Sequence, residues 1–249
     1  MLITSSIVFA CMAGGAILGL YLRSKLPAHH LTHDSRDAIK LGIGLVGTMT
    51  ALLLGMQVGS AKDAYDEADA EIKEIAGKVA FLDRVLANYG PETAHARQSL
   101  REATALAIEQ TWNSSRPVAA IPNPTTAGGE ALYHQLQQLS PDTPTKTALK
   151  TEALSLNMEI ARIRWLLYAQ AGGSASVIFL AVVVVWLTIV FTSFGLLATP
   201  NATVIVTLIV CALSVSTAIG LILELNRPFS GLIQLSSAPL QNTLSLMGN

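Results

Sequence analysis

Four long stretches without a charged side chain dominate this sequence. They cover residues 2–22, 41–61, 171–198 and 202–223. Each is close to or above the roughly 20 residues that a helix needs to cross the hydrocarbon core of a bilayer. Only helices and closed barrels satisfy their backbone hydrogen bonds in lipid, and uninterrupted apolar runs of this length indicate helices. The sequence therefore predicts four transmembrane helices, spans one to four in chain order.

The composition of the chain excludes several classes of protein. Only 13% of the 249 residues are charged, against about a quarter in a soluble domain. The formal net charge of −1 gives no indication of a nucleic-acid partner. Both cysteines, Cys11 and Cys211, lie within the apolar spans, and no nucleotide, zinc or nucleophile motif is present. We therefore predict a protein that is not an enzyme and that needs no cofactor.

The residues between spans two and three contain two heptad patterns. In each pattern apolar residues recur at alternating spacings of three and four, which is typical of a coiled-coil seam. The first seam comprises Tyr65, Ala68, Ile72, Ile75, Val79, Leu82, Leu86 and Tyr89, and the second comprises Leu149, Ala153, Leu156, Ile160, Ile163 and Leu167. The partner of each seam is either the other seam in the same subunit or a second subunit, and periodicity favours neither.

These patterns predict an all-α, four-span integral membrane protein with a helical-hairpin, coiled-coil-like domain between spans two and three. The predicted organisation is residues 1–61 for spans one and two, 62–170 for the extramembrane domain, 171–223 for spans three and four, and 224–249 for a C-terminal segment at the membrane face.

Four segments resemble the bestrophin-like family of bacterial membrane proteins. They are LGIGLVGTMTALLLGMQVGSAKDAYD (41–66), RVLANYGPE (84–92), RWLLYAQ (164–170) and NATVIVTLIVCALSVSTAIGLILELNRPFSGLIQLSSAPL (201–240). The resemblance is most specific at GSAKDAYD and LELNRPFSGLI, although relatives usually carry an acidic residue at the position of Asn226. A distant similarity to bestrophins, which are pentameric anion channels, implies a homo-oligomeric ion channel or pore that passes small ions across the bacterial inner membrane. The alternative is a non-conducting scaffold or sensor that couples the helical domain to the lipid bilayer.

Span two carries a small residue at every fourth position. These residues are Gly47, Ala51, Gly55 and Gly59. Small residues let helices approach closely in lipid, so the pattern predicts helix packing, with a helix that borders a narrow pore as the alternative. Gln57 is polar within the same span and needs a partner or water.

Span four carries a face of polar side chains. They are Thr203, Thr207, Ser214, Thr217 and Glu224. Hydroxyl groups can line a water-filled path, or they can bond to carbonyls of their own helix. The first reading makes this face a candidate pore surface, and the second makes it an ordinary helix face.

Charged residues cluster where spans two and four leave the membrane on the side of the helical domain. We call Lys62, Asp63, Asp66 and Arg227 the charged collar, and Glu224 lies beside it in the sequence. Such a cluster forms either an ion-pair network or an oxygen-rich site for a hard cation.

The short loop after span one holds a weak metal-site candidate and a topology signal. His29 and His33 would share one face of a helix, although a hydrated loop is the alternative. Basic residues in the loop place it in the cytoplasm by the positive-inside rule, which puts the 62–170 domain outside. The resemblance to bestrophins implies the reverse, so both orientations stay open, with the charge pattern favouring the domain outside. The basic residues are Arg23, Lys25, Arg36 and Lys40.

Overall fold

The computed structural model describes residues 2–27, 32–113, 128–171 and 177–247. Over these ranges the chain forms eight α-helices and no β-strand. The helices are α1 (Leu2–Lys25), α2 (His33–Tyr89), α3 (Ala94–Ile108), α4 (Gly128–Gln138), α5 (Pro144–Ala171), α6 (Val177–Leu197), α7 (Ala202–Leu225) and α8 (Ala238–Leu246). A 3₁₀ turn, Pro91–Thr93, precedes α3, and a π turn, Glu109–Asn113, follows it.

The four predicted spans fall in α1, α2, α6 and α7, the four helices among the described residues that are long and apolar enough to cross a membrane. This confirms the all-α, four-span membrane fold. Residues 172–176 of predicted span three lie outside the described residues. Helix α7 begins where the Asn201 side chain accepts a hydrogen bond of 2.8 Å from the Val204 amide, a standard N-cap.

The chain divides into two compact units. We call Met1–Ala64 with Ser174–Asn226 the membrane unit, and Tyr65–Gly173 with Arg227–Asn249 the helical unit. Helix α2 contributes its N-terminal part to the first and its C-terminal part to the second.

Helix α1 packs against both α6 and α7 in the membrane unit. Their contact forms one apolar cluster, to which Leu53 and Leu54 of α2 add partly buried side chains. The Ser216 hydroxyl of α7 donates a 2.7 Å hydrogen bond to the Ser5 carbonyl of α1. The buried residues of the cluster are Val8, Met12, Ala16, Val183, Leu187, Phe191, Ala212 and Ile219.

Glycine permits the close approach of α1 and α6. A Cβ atom built on Gly19 would lie 2.0 Å from the Thr192 carbonyl oxygen, and one on Gly195 would lie 2.2 Å from that of Ala16. Both distances are far inside van der Waals contact, so neither position accepts a side chain without separating the helices. In lipid this backbone proximity takes the place of hydrophobic attraction as a source of packing energy.

The helical unit has a single core, and both predicted seams contribute to it. Ile72 and Leu82 of α2 belong to the same buried cluster as Leu156 and Ile163 of α5. The seams therefore share a core within one chain, which decides between the two partners that periodicity left open. Gly90 follows the end of α2 with a φ of 133°, a conformation that side chains disfavour, and Pro91 begins the 3₁₀ turn.

The C-terminal residues form part of the helical unit. Leu235, Leu240 and Met247 lie in its core. The Trp112 indole donates a 2.7 Å hydrogen bond to the Leu235 carbonyl, and the Thr243 hydroxyl donates one of 3.2 Å to the Ala76 carbonyl. The sequence pattern gave no sign of this packing, because α8 is short and has no sustained heptad.

Candidate functional site

The membrane stretch of α2 is largely uncovered within one chain. Only 6% of its most apolar 18-residue window is buried, compared with 22–28% for the spans of α1, α6 and α7. Among the described residues, no atom lies within 4 Å of a Cβ built on Gly47, Gly55 or Gly59. Within the described part of the chain the glycines of span two therefore face open space, which is available to lipid or to another copy.

Two further candidate residues of span two lie at different places on the helix. Ala51 is exposed, in line with the open glycines, and Gln57 is partly exposed. Gln57 lies two residues from Gly55 and Gly59, which places it away from the small-residue face on a helix with 3.6 residues per turn. Its amide supplies both hydrogen-bond donors and an acceptor.

The hydroxyl face of α7 is exposed, and its donors are occupied. Thr207 and Ser214 each donate a 2.9 Å hydrogen bond to the carbonyl four residues earlier, and Thr217 donates one of 2.8 Å. Thr203, the first residue of the face, is also exposed. A hydroxyl has one donor and two acceptor sites, so these three side chains offer an ion acceptors only. This chemistry does not suit the coordination of an anion.

Glu224 differs from the rest of this face. It is 8% exposed, whereas Thr217, one heptad earlier, is exposed, and the Glu224 side chain has an interaction partner. The face therefore changes from exposed to covered along α7. Glu224 is thus a buried residue in the last turn of α7 and does not lie on the open surface that the hydroxyls form.

The residues of the charged collar belong to different units. Lys62 and Asp63 are in the membrane unit with Glu224, whereas Asp66 and Arg227 are in the helical unit. All four are exposed, and Lys62 and Asp66 each have an interaction partner. The collar as a whole stays a prediction.

Helix α7 does not extend to Arg227. It ends at Leu225, and the Asn226 side chain and backbone amides both donate to the Ile222 carbonyl. Arg227 therefore lies beyond the end of the helix that carries Glu224.

The segment that carries the most specific family resemblance is an ordered turn. The Leu235 amide donates a 2.8 Å hydrogen bond to the Pro228 carbonyl, and Gly231 has a φ of 111°. Phe229 meets the Trp112 ring edge-on at 6.1 Å between centroids. The motif thus fixes the chain that leads from α7 to the core of the helical unit.

The histidine candidate is only half described. His29 lies outside the described residues. His33 is exposed, and its Nδ1 atom lies 3.0 Å from the Asp37 carboxylate. In the ranges that the structure describes, no three histidine, cysteine or acidic side chains are grouped as metal ligands.

Charge pairs stabilise the surface of the helical unit. Arg97 makes two hydrogen bonds to Asp83, of 2.8 and 2.9 Å, and this contact raises the pKa of Arg97. Lys146 binds Glu92, and its hydrogen bond lowers the pKa of that carboxyl. Both pairs join segments that are separate in the chain, and Glu92 also lines an open cleft of about 380 Å³ with Tyr89 and His95.

Two functional features escaped the sequence analysis. The first is the glycine contact between α1 and α6, which Gly15 and Gly19 signal by a GxxxG spacing in span one. The second is a concave site around Arg164 in the helical unit. Arg164 begins the RWLLYAQ segment of the family resemblance, and its proximity to span three suggests only an interface anchor.

Comparison with known proteins agrees with this architecture. Two variants of a bacterial bestrophin homolog from Klebsiella pneumoniae superpose with TM-scores of 0.70 and 0.69. The first variant is 15% identical to this chain, and the alignment covers 100% of this chain and 98% of the variant. The second variant is 16% identical, and the alignment covers 98% of each chain. No curated protein matches the chain significantly. Residues 10–240 match the model of the Bestrophin-like domain, and the chain belongs to that family.

Proposed function

We propose that this membrane protein is an oligomeric ion channel or pore of bestrophin-like type, in which copies of α2 surround the conducting path. The observation that carries the proposal is the uncovered span of α2, with its open face of Gly47, Gly55 and Gly59. A face of glycines has little side chain to offer lipid, whereas it lets a second helix approach closely. Cyclic assembly of identical chains would pack each glycine face against a neighbouring chain and leave the opposite face of α2, which carries Gln57, for the path.

The hydrogen-bond donors available on the two helices favour α2 over α7 as the helix that lines the path. The hydroxyls of α7 donate to their own carbonyls, so they offer a permeating anion no donor. Gln57 of α2 retains amide donors that can face a water-filled path. The proposed path is therefore lined by α2, and the α7 face meets lipid or a neighbouring chain.

Recording from planar bilayers tests the proposal. We expect purified protein to give unitary currents, and Gln57→Leu to change their amplitude or their ion preference in an intact oligomer. The matched control is Thr207→Val on α7, which removes a hydroxyl of the exposed face and should leave the current unchanged. Currents that respond to Thr207→Val and not to Gln57→Leu would show that α7 lines the path, and would contradict the assignment to α2.

A scaffold or sensor is the second candidate, and one observation favours it. Helix α2 is continuous from His33 to Tyr89, so a single helix includes both a membrane span and a seam of the helical unit. A well-formed oligomer that carries no current in the bilayer experiment would support this function instead.

The location we propose is the bacterial inner membrane, with the helical unit outside as the loop charges favour. A cysteine at Ala131, an exposed position of α4, reports the side of the helical unit. A cysteine at Ser24 in the first loop should give the opposite result. Labelling of intact spheroplasts with an impermeant maleimide decides the orientation, and modification of Ser24→Cys alone would place the helical unit in the cytoplasm.

A further inference from the structure

The helical unit contains a cavity that the proposed channel function does not use. Its volume is about 100 Å³, and it lies among the seam residues of α2 and α5 and the facing side chains of α3 and α4. Its walls are largely apolar. Six of the lining residues are Ile72, Ile75, Leu100, Leu132, Leu167 and Phe229.

A second, more open cleft adjoins this cavity. It has a volume of about 230 Å³, and Tyr133, Met158 and Trp165 form part of its wall. Asn157 and Arg164 line both spaces, so the two are neighbours that share one polar boundary. Together they form a concave site with an apolar inner part and an aromatic outer part.

Arg164 places a positive charge at this boundary, and its guanidinium, which has five N–H donors, also has an interaction partner within the chain. A Cβ built on Gly129 would lie 3.4 Å from its Nη1 atom, so the guanidinium lies against the start of α4. Burial lowers the pKa of Arg164, but a guanidinium remains charged in proteins. Asn157, 9% exposed, adds an amide beside it.

The combination of these groups identifies a class of ligand. A planar guanidinium binds a carboxylate through two parallel hydrogen bonds, and an adjoining apolar cavity accepts a hydrocarbon body. Small-molecule sites typically have this composition, with few polar groups in a mainly apolar wall. Glu130 also lines the outer cleft, but its side chain is exposed, so solvent screens its repulsion of an anion.

We propose that the helical unit binds a small amphipathic carboxylate at this site, with the carboxylate on Arg164 and the apolar body in the inner cavity. The proposal concerns the helical unit alone. It holds whether or not the protein conducts ions, because none of these residues belongs to a span.

Calorimetric titration of the full-length protein in detergent tests the charge. The probes are hexanoate, acetate and hexan-1-ol, each corrected with empty micelles. We expect saturable binding of hexanoate and about tenfold or more weaker binding of acetate, which lacks the apolar body. Arg164→Met should weaken hexanoate binding by about tenfold or more, the loss expected for a charged hydrogen bond, and leave hexan-1-ol unaffected. The matched control, Arg162→Met, changes an exposed arginine of the same helix and should bind hexanoate as the wild type does.

A cavity-filling variant keeps the test valid if Arg164→Met does not fold. Ala107→Leu adds volume at the wall of the inner cavity, so it should abolish binding of both hexanoate and hexan-1-ol. Absence of hexanoate binding to the wild type overturns the proposal. Equal binding by the wild type and Arg164→Met, or acetate binding as tight as that of hexanoate, overturns it as well.

Discussion

Glu224 differs in burial from the other polar residues of its helix face. By spacing it continues the hydroxyl face of α7, yet it is buried and has an interaction partner, whereas Thr217 is exposed. A carboxylate near lipid is costly unless a partner or water compensates it. The environment therefore favours a structural role for Glu224, and a place at the mouth of a pore is the less favoured reading.

The first prediction tests this role. Glu224→Gln should lower the free energy of unfolding by about 1–3 kcal/mol, because the partner of the carboxylate loses a charged interaction. Unitary conductance of the remaining oligomers should not change. Thermal unfolding and single-channel recording measure the two effects. Thr217→Val, an exposed change on the same face, is the control and should shift stability by no more than about 0.5 kcal/mol. An altered conductance in a fully stable Glu224→Gln oligomer would contradict the structural role.

Glu71 carries a second prediction at the residue scale. Burial raises the pKa of its carboxyl, Glu67 and Glu74 raise it further, and its Oε2 atom has no hydrogen-bond partner among the described residues. A carboxyl whose pKa is raised on folding opposes folding when ionised, and this penalty disappears as the pH falls through the folded-state pKa. Glu71→Gln should therefore raise Tm at pH 7 by about 2 °C, a small shift because solvent screens the side chain.

The pH dependence distinguishes this cause from better packing. The difference in Tm between Glu71→Gln and the wild type should vanish below about pH 4, where the wild-type carboxyl is protonated as well. Glu152→Gln, an exposed change on α5, should show no such dependence. A stabilisation that persists unchanged in acid would contradict the electrostatic explanation.

At the scale of elements, glycine determines how the membrane helices meet. Gly19 and Gly195 allow the backbones of α1 and α6 to approach closely, whereas the glycines of α2 face open space in the part of the chain that the structure describes. Glycine thus mediates a helix contact within the subunit in α1 and α6, and it forms an open surface in α2.

The α1–α6 contact gives the third prediction. Gly19→Ala should lower the free energy of unfolding by about 1–3 kcal/mol, because its new methyl group would overlap the Thr192 carbonyl oxygen. Gly14→Ala is the control, since Gly14 lies on the same helix with open space around it. Both variants are compared by thermal unfolding in detergent. Equal stability of the two variants would mean that the helices separate at no cost.

The seam of the helical unit gives the fourth. Leu82 is fully buried, so Leu82→Ala should cost about 2–5 kcal/mol of unfolding free energy, the range for core truncations. Arg84→Ala, an exposed change one half-turn away, should cost no more than about 0.5 kcal/mol. Urea unfolding measures both, and a tolerated Leu82→Ala would contradict the shared core of α2 and α5.

Local sequence pattern was sufficient to predict some of these contacts and insufficient to predict others. Residues such as Ile72 and Leu82 repeat with the helical period, so the sequence predicts their seam without knowledge of the rest of the fold. The pairing of Gly19 with Gly195 joins distant parts of the chain, and spacing alone does not identify a partner. Leu240 was missed for a similar reason, because its short helix is held by contacts with α2 and α3 and has little pattern of its own.

At the scale of the whole molecule, the membrane span of α2 is the one that a single chain covers least. Three spans bury more than a fifth of their apolar windows, and α2 buries 6%. Closure of a ring of identical chains would cover this surface, and the heptad seams are not available for that purpose because they pack within the chain.

The fifth prediction concerns this assembly. Gly55→Leu should shift the detergent-solubilised protein from a single oligomer to smaller species, because the larger side chain holds neighbouring α2 helices apart. Gly14→Leu makes the same substitution at another open position, on α1, and should leave the oligomer intact. Mass photometry measures both. A wild-type protein that is monomeric at every concentration tested would contradict the oligomer.

The contact between Gly19 and Gly195 also imposes an order in time. Helix α1 is synthesised early, whereas its principal partner α6 follows α2, α3, α4 and α5 in the chain. At about 5–20 residues per second, the interval between the two glycines is on the order of ten seconds or more. During biogenesis α1 must therefore stay in the bilayer without α6, its glycines facing lipid or an insertion factor, until the second half of the chain arrives.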